Sequence, residues 1–207
     1  MSGNVDEGLG LLRSVVRKNP DDFTVRQRLI EACVRGGRLD EAVQEFSELT
    51  RVTPNFPQVH FDALARAGSF SPIELRRAFE RATVASPTDA IACYGLGLVH
   101  QLNNDQDGAA NAFKRGIAAD QRHALLHYNL GVALMDDPNQ AELFLRDAIK
   151  YNSKMAEPHY ALGTLYLDRD QKRAAAHFRM FIQLAPPHLQ TFTSNALATL
   201  EVIGGQA

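Results

Sequence analysis

The octapeptide His127-Tyr128-Asn129-Leu130-Gly131-Val132-Ala133-Leu134 is written almost three times in this chain. Its upstream counterpart runs from Cys93 to His100 (CYGLGLVH) and its downstream counterpart from His159 to Tyr166 (HYALGTLY). The pairs Leu96-Gly97, Leu130-Gly131 and Leu162-Gly163 recur at intervals of 34 and 32 residues. A second phrase follows each: Ala109-x3-Phe113, Ala141-x3-Leu145 and Ala174-x3-Phe178. Further upstream, Ala42-x3-Phe46 and Leu75-x3-Phe79 fill the same slot. Prolines give an independent ruler: Pro20, Pro54 and Pro87 are 34 and 33 apart, and Pro186 lies 99 beyond Pro87. Two rulers with one period mark an internal repeat, which decides the fold before any local reading does.

Each unit reads as two amphipathic helices. Apolar residues recur at three- and four-residue spacing (Leu96, Val99; Ala109, Phe113, Ile117), without the alternation of a strand. Ser71-Pro72 and Asp137-Pro138 place a capping side chain before a first-turn proline. RGGR (35–38) and NNDQDG (103–108) separate the two helices of their units. Gly97, Gly131 and Gly163, set opposite Ala109, Ala141 and Ala174, predict close backbone crossing. That closeness has to offset about 1 kcal/mol per mid-helix glycine.

These residues resemble the tetratricopeptide repeat (TPR) family, whose signature is W-x2-L-G-x2-Y, A-x3-F and P over about 34 residues. The last unit matches as His159-x2-Leu162-Gly163-x2-Tyr166, Ala174-x3-Phe178 and Pro186. His127-x2-Leu130-Gly131-x2-Leu134 and Cys93-x2-Leu96-Gly97-x2-His100 match before it, and Arg26-x2-Leu29-Ile30-x2-Cys33 with Pro54 more loosely. The unit of His60, Ala63, Leu64, Leu75, Phe79 and Pro87 departs furthest, and the Trp slot never holds Trp. The resemblance implies an all-α fold: a right-handed α-solenoid of five helix pairs over 22–55, 56–87, 88–121, 122–153 and 154–187. A half-repeat helix (4–20) precedes them and a closing helix (188–203) follows, making 1–207 a single array.

Composition narrows the function. The 207 residues are 45% hydrophobic and 22% charged, and 22 Lys+Arg against 24 Asp+Glu leave a formal net charge of −2. Both signs are mixed locally, so no basic field is available to neutralise phosphates, and no nucleic-acid partner is expected. A helical-repeat RNA reader would need polar code positions and a basic surface, and neither is present. Cys33 and Cys93 sit in apolar helical phrases as reduced core thiols. The acidic start MSGNVDEG lacks a secretory pattern, and no apolar run could cross a bilayer, so a cytoplasmic location without membrane insertion is expected.

No catalytic signature is found. Gly95-Leu96-Gly97 falls inside a helix, where its amides are already used, and no nucleophile elbow, metalloprotease, Cys-x-x-Cys or P-loop pattern occurs. Cys93, His127 and His159 share one slot on successive units, but equivalent positions on neighbouring helices lie about 8–10 Å apart. Zinc ligands must converge within about 2.0–2.3 Å of the ion, so these residues read as packing in the Trp slot. No enzyme, cofactor or metal is expected.

Binding is another matter. The first helices of units three to five carry a second apolar stripe at i, i+3, i+7 and i+10. It comprises Ile91, Tyr94, Leu98 and Gln101, then Leu125, Tyr128, Val132 and Met135, then Glu157, Tyr160, Thr164 and Leu167. A helix apolar on two faces needs two things to cover it. The family resemblance places this face in the concave groove that holds partner segments. Each tyrosine in it serves either packing or contact, and both readings stay open. Met135 and Asn129 are the stronger contact candidates, since methionine adapts to irregular surfaces and a mid-helix asparagine has no intrinsic helix advantage.

Some family members clamp the carboxylate tails of chaperones with basic groove residues. The matching slots here hold Gln27, Glu31, Asp62, Ile91 and Gly95, with Arg28 and Arg35 beside Glu31. Asp136, Glu157 and Asp168 fringe the stripe, which would repel a carboxylate and favour an apolar or mildly basic segment. The expected function is a non-enzymatic protein-interaction adaptor that binds another protein in its groove. The alternative is a structural assembly protein that oligomerises through its terminal helices, including the apolar Leu197, Leu200, Val202 and Ile203.

Overall fold

The computed structural model describes residues 2–52, 57–67 and 71–204, with backbone alone at 2–5 and 57–60. Pro54 and the side chain of His60 lie outside the described residues. Twelve α-helices are described: α1 (Ser2–Lys18), α2 (Phe23–Arg35), α3 (Leu39–Val52), α4 (Pro57–Arg66), α5 (Pro72–Ala85), α6 (Ala90–Leu102), α7 (Gln106–Ala119), α8 (Ala124–Ala133), α9 (Pro138–Tyr151), α10 (Glu157–Tyr166), α11 (Gln171–Leu184) and α12 (Gln190–Gly204). A 3₁₀ turn, Pro187–Leu189, leads into α12, and no strand occurs among the described residues. The fold is all-α, built from stacked antiparallel helix pairs as in a TPR solenoid.

Two compact units divide the chain, Met1–Asp105 and Gln106–Ala207, and the division falls inside the NNDQDG turn. In the first, α2 packs on α1 and α3, α3 also meets α4, α5 and α6, and α5 packs on α6. In the second, each helix from α7 to α12 packs on the next, and α8 also meets α10.

Local chemistry sets the helix ends. Ser71 opens α5 with a capping box: Glu74 N–H donates to Ser71 Oγ (3.2 Å), and Ser71 N–H donates to Glu74 Oε2 (2.7 Å). Asp137 caps α9 by accepting from Asn139 N–H and Gln140 N–H, both at 3.2 Å. Both two-helix turns foreseen in the first unit close on a left-handed residue, Gly37 (φ 71°) after α2 and Asn104 (φ 57°) after α6. Arg38 N–H reaches Cys33 O (2.8 Å) and Asp105 N–H reaches His100 O (2.9 Å), while Gly37 and Asn104 bond back to Val34 O and Gln101 O (both 3.0 Å). Each is a Schellman motif, and glycine or asparagine is what its φ demands.

Aromatic packing fills the first unit. Phe46 meets Phe79 edge-on at 5.6 Å and Phe61 at 6.2 Å, and Phe61 lies 6.1 Å from Phe79. Arg26, in the Trp slot, is buried and bonded to Glu45 Oε2 (2.6 Å) and Pro20 O (3.1 Å). The second unit is centred on Leu145, Leu162, Tyr166, Phe178 and Phe181. A Cβ on Gly131 would stand 2.7 Å from Leu145 Cγ and 3.2 Å from Ala141 O, and one on Gly163 would stand 2.8 Å from the Phe178 ring. For Gly163 the tight neighbour is therefore Phe178 rather than Ala174. Gly95 is tighter still: a Cβ there would lie 2.1 Å from Phe79 Cε1.

Candidate functional site

The stripe of α6 is closed in this structure. Ile91, Tyr94 and Leu98 are buried, Tyr94 to 1% exposure, and only Gln101 is half-buried. The reason is legible in α6 itself: every residue from Ile91 to Val99 is buried and the helix carries no Asp, Glu, Lys or Arg, the pattern of a helix covered all round.

In the second unit, α8 and α10 keep more of the stripe accessible. Leu125, Tyr128, Val132 and Met135 on α8 and its C-terminal turn are half-buried, as are Tyr160 and Leu167, while Thr164 is exposed. Tyr128, Val132, Met135, Tyr160 and Leu167 rest their inner sides on the core. Asn129 is 8% exposed, and its Nδ2 donates back to Leu125 O at 2.8 Å, so its amide is spent on its own helix rather than presented outward. Thr164 Oγ1 likewise donates to Tyr160 O (3.1 Å).

The tyrosines divide on contact. Tyr160 is wedged edge-on among Phe178 (5.6 Å) and Phe181 (5.1 Å) of α11 and Phe192 (5.2 Å) of α12, which makes it a packing residue. The Tyr128 hydroxyl is pushed up to about 12, first by burial and then by the nearby negative charge of Glu157. Glu157 thus lies beside the α8 stripe as well as on α10. Asp136, Glu157 and Asp168 form no ion pair among the described residues, so the fringe keeps its negative charge.

The shared Trp slot is buried at Cys93, His127 and His159. His127 places Nε2 3.0 Å from Gln121 O and its ring 5.0 Å from Tyr151. In the first unit, a cleft of about 390 Å³ between α2 and α4 is lined by Gln27, Glu31, Arg35, Ala63, Arg66 and Ala67. Arg35 is tied to Glu31 at 3.2 Å, so that cation is answered within the chain. Two residues with neighbours the sequence did not disclose are Phe192, seated on Tyr160, and His177, which meets His159. No spacing rule flags either; only the turn of one helix against the next brings them there.

A family model described as Tetratricopeptide repeat matches residues 1–67. No curated protein matches the chain. Among solved structures, yeast Tom70 is similar with a TM-score of 0.67 at 15% identity, over 97% of this chain and 43% of that one. A thermophilic TPR protein of Thermus thermophilus gives 0.57 at 19% identity, over 86% of this chain and 98% of that one. YrrB, described as a TPR protein with an unusual peptide-binding site, gives 0.56 at 14% identity, over 90% and 97%. Residues 1–67 thus match the tetratricopeptide-repeat family, and the chain shares the fold of solved TPR proteins. Such proteins are in general protein-interaction scaffolds and typically non-enzymatic. No helix among the described residues is long and apolar enough to cross a membrane.

Proposed function

We propose that the chain is an adaptor that holds a segment of a partner protein along α8 and α10, with a preference for apolar side chains flanked by Lys or Arg. One observation carries this reading: Leu125, Val132, Met135 and Leu167 remain partly open, fringed by Asp136, Glu157 and Asp168 with no cation answering them among the described residues. Apolar side chains supply the contact area, and the acids select the sign of the partner's charge. The peptide-binding site named for YrrB lends a precedent in a similar fold. Cys33 and Cys93 are buried thiols, which suits a reducing, cytosolic setting.

The test is capture of native partners by the wild type and by an Asp136→Lys, Glu157→Lys, Asp168→Lys variant, at low and high salt. Loss of captured partners in the variant, and weakening of the wild type with salt, is expected. Equal capture by both proteins overturns the assignment. A second reading, assembly through the terminal helices, draws on exposed Leu11 and Val15 of α1 and Val202 of α12. Light scattering that finds a monomer at high concentration removes it.

A further inference from the structure

α1 keeps the register of a repeat's second helix. Gly8, Leu11, Leu12 and Val15 stand 34 residues before Ala42, Glu45, Phe46 and Leu49 of α3. In α3, which packs on the first helix of its unit, Ala42, Phe46 and Leu49 are fully buried and Glu45 holds Arg26 at 2.6 Å. The slot of Glu45 meets the Trp slot again in later repeats, as Phe144 beside His127 (ring centroids 6.0 Å apart) and His177 beside His159 (5.3 Å). On α1 the same four slots are open. Leu11 is 66% exposed, Val15 is exposed, Leu12 is half-buried, and a Cβ on Gly8 would meet nothing within 4 Å. Their spacing of i, i+3, i+4 and i+7 makes one helical face, shaped to take a first helix.

α12 is the complement. It follows α11, a second helix, and so takes the place of a first helix. Ala196, Leu200 and Ile203 turn its inner side to the core. Leu197 stands 34 residues after Gly163 and is 48% exposed. That slot faces the unit's own second helix, since a Cβ on Gly131 would meet Leu145 and one on Gly163 would meet Phe178. Volume is exchanged between the two open faces. Where Gly163 meets Phe178 beside Ala174, α12 offers the larger Leu197 and α1 offers the smaller Leu12 and Gly8.

We propose that α12 of one copy packs on α1 of a second copy, completing one tetratricopeptide unit from two chains. This rests on the reading of assembly through the terminal helices and gives that assembly its geometry. Contact is head to tail, so each copy offers α12 to one neighbour and α1 to another, and neither face pairs with itself. Leu11, Leu12, Val15 and Leu197 bring no charge. Arg13, at the edge of the α1 face, is already held by Glu41 at 2.6 Å, so no unpaired ion is buried there.

Leu11→Glu and Leu197→Glu test this, because both positions are exposed and the fold should tolerate either change. Light scattering of the wild type over a concentration series should show a mass rising above one chain. Each variant alone should weaken that association about tenfold or more, since a carboxylate would enter an apolar contact. An equimolar mixture of the two variants should form a 1:1 complex, because the Leu11→Glu chain keeps its α12 and the Leu197→Glu chain keeps its α1. A wild type that stays monomeric overturns both the proposal and the assembly reading. Oligomers that either variant leaves intact, or a mixture that stays monomeric while the wild type associates, overturn the head-to-tail pairing and leave assembly to another face. Should either variant misfold by circular dichroism, Leu11→Ser and Leu197→Ser take their places in the same mixture, judged by the same outcomes.

Discussion

Gly95→Ala sets two physical effects of opposite sign against each other. Helix propensity alone favours alanine in mid-helix by about 1 kcal/mol. Packing opposes it, because the new methyl would stand 2.1, 2.5 and 2.8 Å from Cε1, Cζ and Cδ1 of Phe79, where carbon contacts want about 3.5–4.0 Å. The ring would have to retreat by more than an ångström. Phe79 is fully buried and held against Phe46 and Phe61, so no open side is available to it. Overpacking of this kind costs about 1–3 kcal/mol, and a disturbed aromatic pair adds about 0.5–1.5 kcal/mol. Net destabilisation of about 1–3 kcal/mol is expected in urea denaturation. Phe79→Leu in the same chain should recover part of it, as a non-additive double-mutant cycle. Gly8→Ala is the control, since nothing lies within 4 Å of its added methyl and propensity should win by about 0.5–1 kcal/mol. A Gly95→Ala protein more stable than wild type would refute the reasoning.

Acid should weaken the second unit. The folded proton affinity of His177 is depressed to about 4 from an ordinary 6.5, so the unfolded chain takes up a proton first. Stability is then full above pH 6.5 and is lost as pH falls toward 4, by well under the about 2 kcal/mol that the unscreened shift would give at pH 5, because solvent screens the half-buried ring. Denaturation midpoints that stay flat between about pH 7 and 5, or a His177→Gln protein with the same slope, would contradict it. Ser71→Ala removes one half of a capping box and should cost about 1 kcal/mol in the same denaturation assay. Cys33 is wholly buried, and burial followed by the charge of Glu41 pushes its thiol up to about 12. It should resist thiol reagents until the chain is unfolded, which a time course with and without urea will show.

The helix ends were readable from sequence because their chemistry is local: Ser71-Pro72, Asp137-Pro138 and the left-handed Gly37 each act within a few residues. The packing phrase was readable because a repeat writes it several times. What periodicity did not yield is which apolar face stays open. A leucine reads the same whether a neighbouring helix or a partner covers it, so α6 and α8 looked alike while α6 is closed and α8 is not. Side-chain pairings 16 or 18 residues apart, Phe79 with Gly95 and His159 with His177, depend on helix crossing and rotamers, which no spacing rule encodes.

The seat of Phe192 on Tyr160 joins the last helix to the proposed binding face. Among the residues of α12 only Ala196 is fully buried, with Leu200 and Ile203 partly buried against the core, so little buried area holds the helix down. Segments of that kind fray first, and amide exchange should find α12 opening well below the cost of global unfolding. Each opening withdraws Phe192 from Tyr160 and uncovers ring surface that α12 otherwise occupies. A ligand that prefers the covered form would slow exchange across α12 without touching it, and one that prefers the uncovered form would hasten it. The closing helix is thereby a reporter of what happens on α10.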